Sequence, residues 1–224
     1  MKNCVLPIFV ILYFLAAHGQ DSVAYHRLDR NYYLAHHDSL MAVYGINKTF
    51  EPGSELAGLA ALTFYPELKN VSVTFRRHPI ITTMSAVPHA EFMRYRKQDR
   101  SYFININNRK NFKGIRFDNL NFNQQVGVLG HELGHILYYT SKRSTGLFLF
   151  GLGYFFLDFR RNVEAHTDMT AISHELGWQL YEYAHSLSTD PNVSESYKRF
   201  KSRFYLNDNE LLELVKQHQA KHTH

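Results

Sequence analysis

The chain has 224 residues, enough for one domain of ordinary to large size, and its 45% hydrophobic and 15% aromatic content excludes a wholly disordered or fibrous protein. Its 25 lysines and arginines exceed its 20 aspartates and glutamates, but they are scattered rather than gathered into a stripe, which argues against nucleic-acid binding. The single cysteine, Cys4, rules out an internal disulfide.

The opening stretch MKNCVLPIFVILYFLAAHGQ has Lys2 in a short charged start, an apolar run from Val5 to Ala17 and a small-x-small triplet, Ala17-His18-Gly19. This pattern reads as a signal peptide over residues 1–19 with cleavage before Gln20. The apolar run is shorter than the roughly 20 residues of a spanning helix, although a retained leader would act as an anchor. Cys4 falls in this segment, so a processed chain over 20–224 has no cysteine for a nucleophile or a metal site. Export to a periplasm or to the exterior is the expected location.

From Asp21 to Tyr44, helix formers predict one or two short helices ending at Gly45. SELAGLAALTFYPEL predicts a buried helix with Ser54 as its N-cap. NVSVTFRR alternates Val71, Val73 and Phe75 with Ser72, Thr74 and Arg76, the period of a half-buried strand, and PIITTMSAV suggests another. FMRYR and SYFININ, separated by KQDR, suggest a β-hairpin with Tyr102, Ile104 and Ile106 on one face. A long helix is expected from Asn121, with Gln124 in a capping-box relation, to about Lys142. TGLFLFGLGYFFL, residues 145–157, follows. A second long helix is expected over NVEAHTDMTAISHELGWQLYEYAHSL, then two more over ESYKRFKSRF and NELLELVKQHQA. Strands mixed with helices, then helices alone, indicate an α+β arrangement.

The first long helix carries VGVLGHELGHILYY. Positions four apart share a helix face, so His131 and His135 can turn their imidazoles to one ion, with Glu132 about 100° away and beside it. A zinc ion lowers the pKa of water it binds towards about 7, and a neighbouring carboxylate can take the proton as that water attacks a carbonyl. Gly127, Gly130 and Gly134 form one stripe, each costing about 1 kcal/mol against Ala in a helix interior. The stripe suits a close neighbouring backbone, beside an ion or for packing alone.

A catalytic zinc usually has three protein ligands. A third His six residues after the second is ruled out, since that position is Ser141. RNVEAHTDMTAI instead offers Glu164 as the third ligand, with Asp168 one turn on to accept a hydrogen bond from the far nitrogen of a liganding histidine. His166 is the rival ligand, but two residues are about 200° of helix rotation, so Glu164 and His166 cannot both face the ion.

HELGH followed by EAHTD resembles the gluzincin, thermolysin-like branch of zinc metallopeptidases, whose pattern is His-Glu-x-x-His and then Glu-x-x-x-Asp on a following helix. The resemblance spans about residues 92–187, and the 29 positions between His135 and Glu164 exceed the spacing of compact members. It implies a zincin-like fold, with a mixed N-terminal lobe holding a small sheet and the motif helix, and a helical C-terminal lobe. It implies zinc held by His131, His135 and Glu164, Glu132 as general base, and Asp168 orienting a ligand. It also implies a peptide or protein substrate laid along an edge strand, for which SYFININN is the candidate, with an interior strand as the alternative.

ISHELGW repeats the motif's first letters, but Trp178 stands where the second His would be needed. His174, Tyr181, His185 and Tyr205 are candidates for the cleft rim, where they would stabilise an oxyanion. TGLFLFGLGYFFL is read as a core-packing connector, with peripheral membrane contact through 145–157 or an apolar substrate wall as alternatives. The expectation is an exported zinc metallopeptidase. The alternatives are a non-catalytic zinc-binding protein, an envelope-associated interaction protein on the same scaffold, or a hydrolase of other amide bonds.

Overall fold

The computed structural model describes residues 25–222, so the leader over 1–19 and its cleavage point lie outside the described residues. Among these residues the chain runs α1 (Arg30–Ala35), α2 (His37–Tyr44), β1 (Lys48–Thr49), α3 (Glu55–Thr63), β2 (Ser72–His78), β3 (Met84–Pro88), β4 (Ser101–Asn107), α4 (Phe122–Ser141), α5 (Ser144–Gly153), α6 (Leu157–Ser173), α7 (Gly177–Thr189), α8 (Glu195–Ser202) and α9 (Asp208–His222). This is a mixed α+β fold with one small sheet and a helical C-terminal half.

The sheet order is β1-β2-β4-β3, with β1, β2 and β4 parallel and β3 antiparallel to β4. The expected hairpin over 92–107 is therefore wrong. Phe92–Arg94 and Lys97–Asp99 are single 3₁₀ turns, and β4 finds its antiparallel partner in β3. Ion pairs from Arg94 to Glu91 and from Arg96 to Asp99 tie these turns to themselves, which leaves no strand-like run before the polar stretch. SYFININN is accordingly interior, bonded on both sides, and β3 is the edge strand next to it, with β1 at the opposite edge. Val73, Phe75, Tyr102, Ile104 and Ile106 are buried as the alternation predicts, whereas Val71 precedes β2 and is only half-buried.

The motif helix α4 packs against α3, α6, α7 and β3. Its capping box forms as read: Asn121 Oδ1 accepts from the Gln124 amide at 3.0 Å, and Gln124 Oε1 from the Asn121 amide at 2.9 Å. Val126, Leu129, Leu133 and Ile136 are fully buried on it. At its far end the buried Arg100 guanidinium donates to the Lys142 carbonyl at 2.8 Å and to Ser144 Oγ at 2.7 Å, a cation where helix carbonyls lack partners.

The glycine stripe is where neighbouring elements approach, by backbone at Gly127 and by side chains at Gly130 and Gly134. A Cβ on Gly127 would sit 2.1 Å from the Gln179 carbonyl oxygen of α7; on Gly130, 2.6 Å from Leu176 Cδ1; on Gly134, 3.1 Å from Thr167 Cγ2 of α6. We expect Gly127→Ala to destabilise the chain by about 1–3 kcal/mol or more despite its gain in helix propensity. Gly151→Ala, which meets nothing within 4 Å, should be neutral or stabilising by up to about 1 kcal/mol. Urea unfolding of the two variants checks this; a Gly127→Ala chain as stable as wild type would show that α7 can retreat.

The second long helix expected over 162–187 is two helices. α6 ends in a Schellman motif: Glu175, at φ 61°, donates its amide to the Ile172 carbonyl, and the Leu176 amide bonds Ala171 O, both at 3.0 Å. The break turns Leu176, fully buried, against Gly130 and lets α7 run back along α4. Sequence reasoning missed it because the left-handed residue is a glutamate rather than glycine.

Candidate metal centre

Helical periodicity places the two motif pairs on facing surfaces of α4 and α6. His131 and His135 are one turn apart on α4; Glu164 and Asp168 are one turn apart on α6, with Thr167 between them. All five are buried, none more than 5% exposed. Glu164 Oε2 lies 3.1 Å from His131 Nε2 and 3.3 Å from His135 Nε2, and one ligand atom from each of the three residues lies within 4.8 Å of the others. The three sequence-selected ligands therefore converge. Two ligand atoms each about 2.0–2.1 Å from a tetrahedral ion stand about 3.3 Å apart, so these spacings fit the edges of a coordination shell.

The remaining nitrogens are held from behind. His131 Nδ1 donates to Asp168 Oδ1 at 2.7 Å. Thr167 Oγ1 donates to the Val163 carbonyl at 2.9 Å, so it accepts from His135 Nδ1 at 3.2 Å. Both Nδ1 atoms are thus donors, so each Nε2, once it has given up its proton, directs a lone pair inward, the arrangement usual behind metal-binding histidines. Tyr154 donates its hydroxyl to Glu164 Oε1, and Arg160 Nε stands 3.9 Å from the same oxygen, so Oε2 is the oxygen left to the imidazoles.

The electrostatics favour a cation at this point. Burial works against ionising Glu164, but the charge of His135 and hydrogen bonds from His131 and His135 outweigh it and hold the carboxyl well below its usual range. Burial likewise disfavours a charged His131, yet Asp168 and Glu164 overcome it and push the imidazole up to about 10. The donor set of two imidazoles and a carboxylate suits a borderline divalent ion. His131, His135 and Glu164 could hold a metal ion.

Glu132 is buried beside this group, and its Oε2 has no hydrogen-bond partner. Burial lifts its carboxyl above the usual range, against the charges of His131 and His135. An unpaired buried carboxylate oxygen is costly in a purely structural role. It borders a cavity of about 240 Å³ whose walls include Met84, Val128, His131, Leu180, Lys201 and Tyr205.

His166, the rival ligand, is exposed on the far side of α6 against the Tyr138 ring, 5.9 Å between centroids. Of the four rim candidates, only Tyr205 lines the cavity, its ring 5.8 Å from that of His131. His174 stacks on Tyr65 at 4.3 Å, while Tyr181 stacks on His185, which bonds Asp208. Tyr154, Thr167 and Lys201 were not singled out in the sequence. Thr167 was within reach, since it shares the Glu164–Asp168 face; Tyr154 and Lys201 depend on how α5 and α8 return to the site. Lys201 sets its ammonium 3.0 Å above the Tyr205 ring and forms no ion pair among the described residues. Burial pushes it down to about 8. Comparison with protein-family models, with curated proteins and with solved structures finds no match.

Proposed function

We propose that the chain is a zinc-dependent peptidase of the gluzincin type on a zincin-like scaffold, with His131, His135 and Glu164 as the metal ligands and Glu132 as the general base. The observation carrying this reading is that the unpaired Glu132 carboxylate lies next to the His131–His135–Glu164 group at the wall of an open cavity. Zinc held by these residues would supply an activated water and a Lewis acid for a peptide carbonyl. Glu132, raised above the usual carboxylate range by burial, is a stronger base than an exposed carboxylate and is suited to take up and return a proton. Asp168 and Thr167 fix the imidazoles, and Tyr154 fixes Glu164.

The apolar walls formed by Met84, Val128 and Leu180 favour an apolar side chain next to the scissile bond. Main-chain pairing of an extended substrate would fall to β3, the edge strand, at Met84; further along, Tyr139 already donates to the Ala86 carbonyl at 3.3 Å. Two lysines line the cavity; Lys198 pairs with Glu195 at 3.2 Å, and Lys201 would stabilise negative charge growing on the substrate carbonyl oxygen.

Proteomic identification of cleavage sites made by the full chain, compared with a Glu132→Gln chain, tests the reading. Zinc-dependent cleavage confined to wild type supports it, and identical cleavage maps overturn it. For Lys201 we expect Lys201→Met to lower kcat by roughly a hundredfold with little change in KM. Because the ammonium is the active form, activity should fall as pH rises past about 8, and Lys201→Arg should move that limb upward. A limb that stays in place in the Arg variant removes Lys201 from the reaction.

A further inference from the structure

The apolar run expected as a core connector is not core. It forms α5 and the turn into α6, and within α5 only Leu147 is buried. Phe148, Leu149, Leu152, Phe155, Phe156 and Leu157 are exposed, Phe155 at 87% and Phe156 at 69%. Lone exposed apolar residues need no explanation, but a cluster of this kind marks an interaction surface.

We propose that this knob is a membrane-binding element that inserts shallowly into an anionic lipid surface. Three features select lipid as the occupant. Side chains at 148, 149 and 152 share one face of α5, within about 100° of arc, and that face runs onto the tip at 155–157, where Phe155 and Phe156 stand furthest into solvent, so the apolar surface ends in a protrusion. A fluid acyl layer accepts such a shape without a complementary pocket. The knob is flanked by Lys142 and Arg143 on one side and by the exposed Arg161 on the other, with no acidic residue between Glu132 and Asp158; Arg160 turns inward to Glu164 and the Phe204 ring. Basic residues bordering an apolar insertion match anionic headgroups above acyl chains. Lastly, α5 has ten residues, about 15 Å, half the thickness of a hydrocarbon core, and no described helix is long and apolar enough to cross a membrane. The element lies on the surface and does not span it.

The neighbouring turn at 92–94 packs on α5 and extends the face with Met93 and Tyr95, both exposed. Tyr154, at the end of α5, hydrogen-bonds Glu164, so lipid contact occurs next to the metal centre. The inference is independent of the peptidase reading, since it concerns lipid contact and not hydrolysis.

The test uses the full-length chain and vesicles of phosphatidylcholine, with or without phosphatidylglycerol at about one third of the lipid. Wild type has one tryptophan, Trp178, so a Phe155→Trp chain adds a single reporter to the knob. We expect lipids brominated on the acyl chains to quench this added fluorescence in the mixed vesicles. Replacing Lys142 and Arg143 by Glu should weaken partitioning roughly tenfold. Absence of extra quenching at position 155 overturns the proposal whether or not the chain sediments with the vesicles. So does a dimer in lipid-free solution that Phe155→Ser and Phe156→Ser together dissociate, because the face would then belong to a second copy.

Discussion

Glu132→Gln is expected to retain one metal ion per chain while losing roughly 10²- to 10⁴-fold in kcat on any substrate that wild type cleaves. The amide keeps the shape of the carboxylate and cannot accept the proton. The neighbouring ligands should hardly feel the change, because Glu132 Oε2 bonds to nothing. A stability effect of the opposite sign should accompany it. Burial raises the Glu132 carboxyl, so the metal-free folded chain holds that proton more tightly than the unfolded chain, and ionising it lowers stability as pH rises past the unfolded value of about 4.3. The glutamine chain should escape that loss and melt higher at neutral pH without metal. Lower activity together with equal or greater stability marks a residue kept for chemistry. Unchanged turnover would remove Glu132 as the base.

Glu164→Ala is expected to weaken metal binding by more than about a hundredfold, beyond the 10- to 100-fold expected when an outer partner such as Asp168 is lost. Competition with a chelator of known affinity measures both. His166→Ala should bind metal as wild type does, because its side chain is exposed against Tyr138 on the other side of α6. Glu164→Gln is the control for folding: it keeps the oxygen that accepts from Tyr154 but replaces the negative charge that His131 and His135 face. If His166→Ala and not Glu164→Ala lowered the affinity, the ligand set would be wrong.

The heart of the site was legible because helical geometry is local. Spacings of four in HELGH and in EAHTD put each pair on one face, and a buried carboxylate facing two imidazoles follows once α4 and α6 pack. The glycine stripe signalled that packing without saying what approached, which proved to be the α7 backbone at Gln179 and the side chains of Leu176, before α7, and Thr167, on α6. What could not be read depended on contacts distant in sequence or on unusual backbone. β4 gained two partners and lost its expected edge position because β3 returns to it from outside. The helix break has a glutamate and not a glycine in its left-handed position, and Gly177 stands two residues further on, at the start of α7. The 145–157 segment misled for another reason. A run of apolar residues implies burial against something, and composition alone does not distinguish the protein's own core from an external phase.

His131, His135 and Glu164 sharing one ion is the premise of the proposed chemistry. Elemental analysis of the purified full-length chain, followed by X-ray absorption at the zinc edge, tests this most directly. We predict one zinc per chain with nitrogen and oxygen neighbours at about 2.0–2.2 Å, no sulfur, and the loss of one light-atom neighbour in Glu164→Ala. A chain that binds no stoichiometric metal at micromolar free zinc, or whose zinc neighbours are the same in Glu164→Ala, would contradict it.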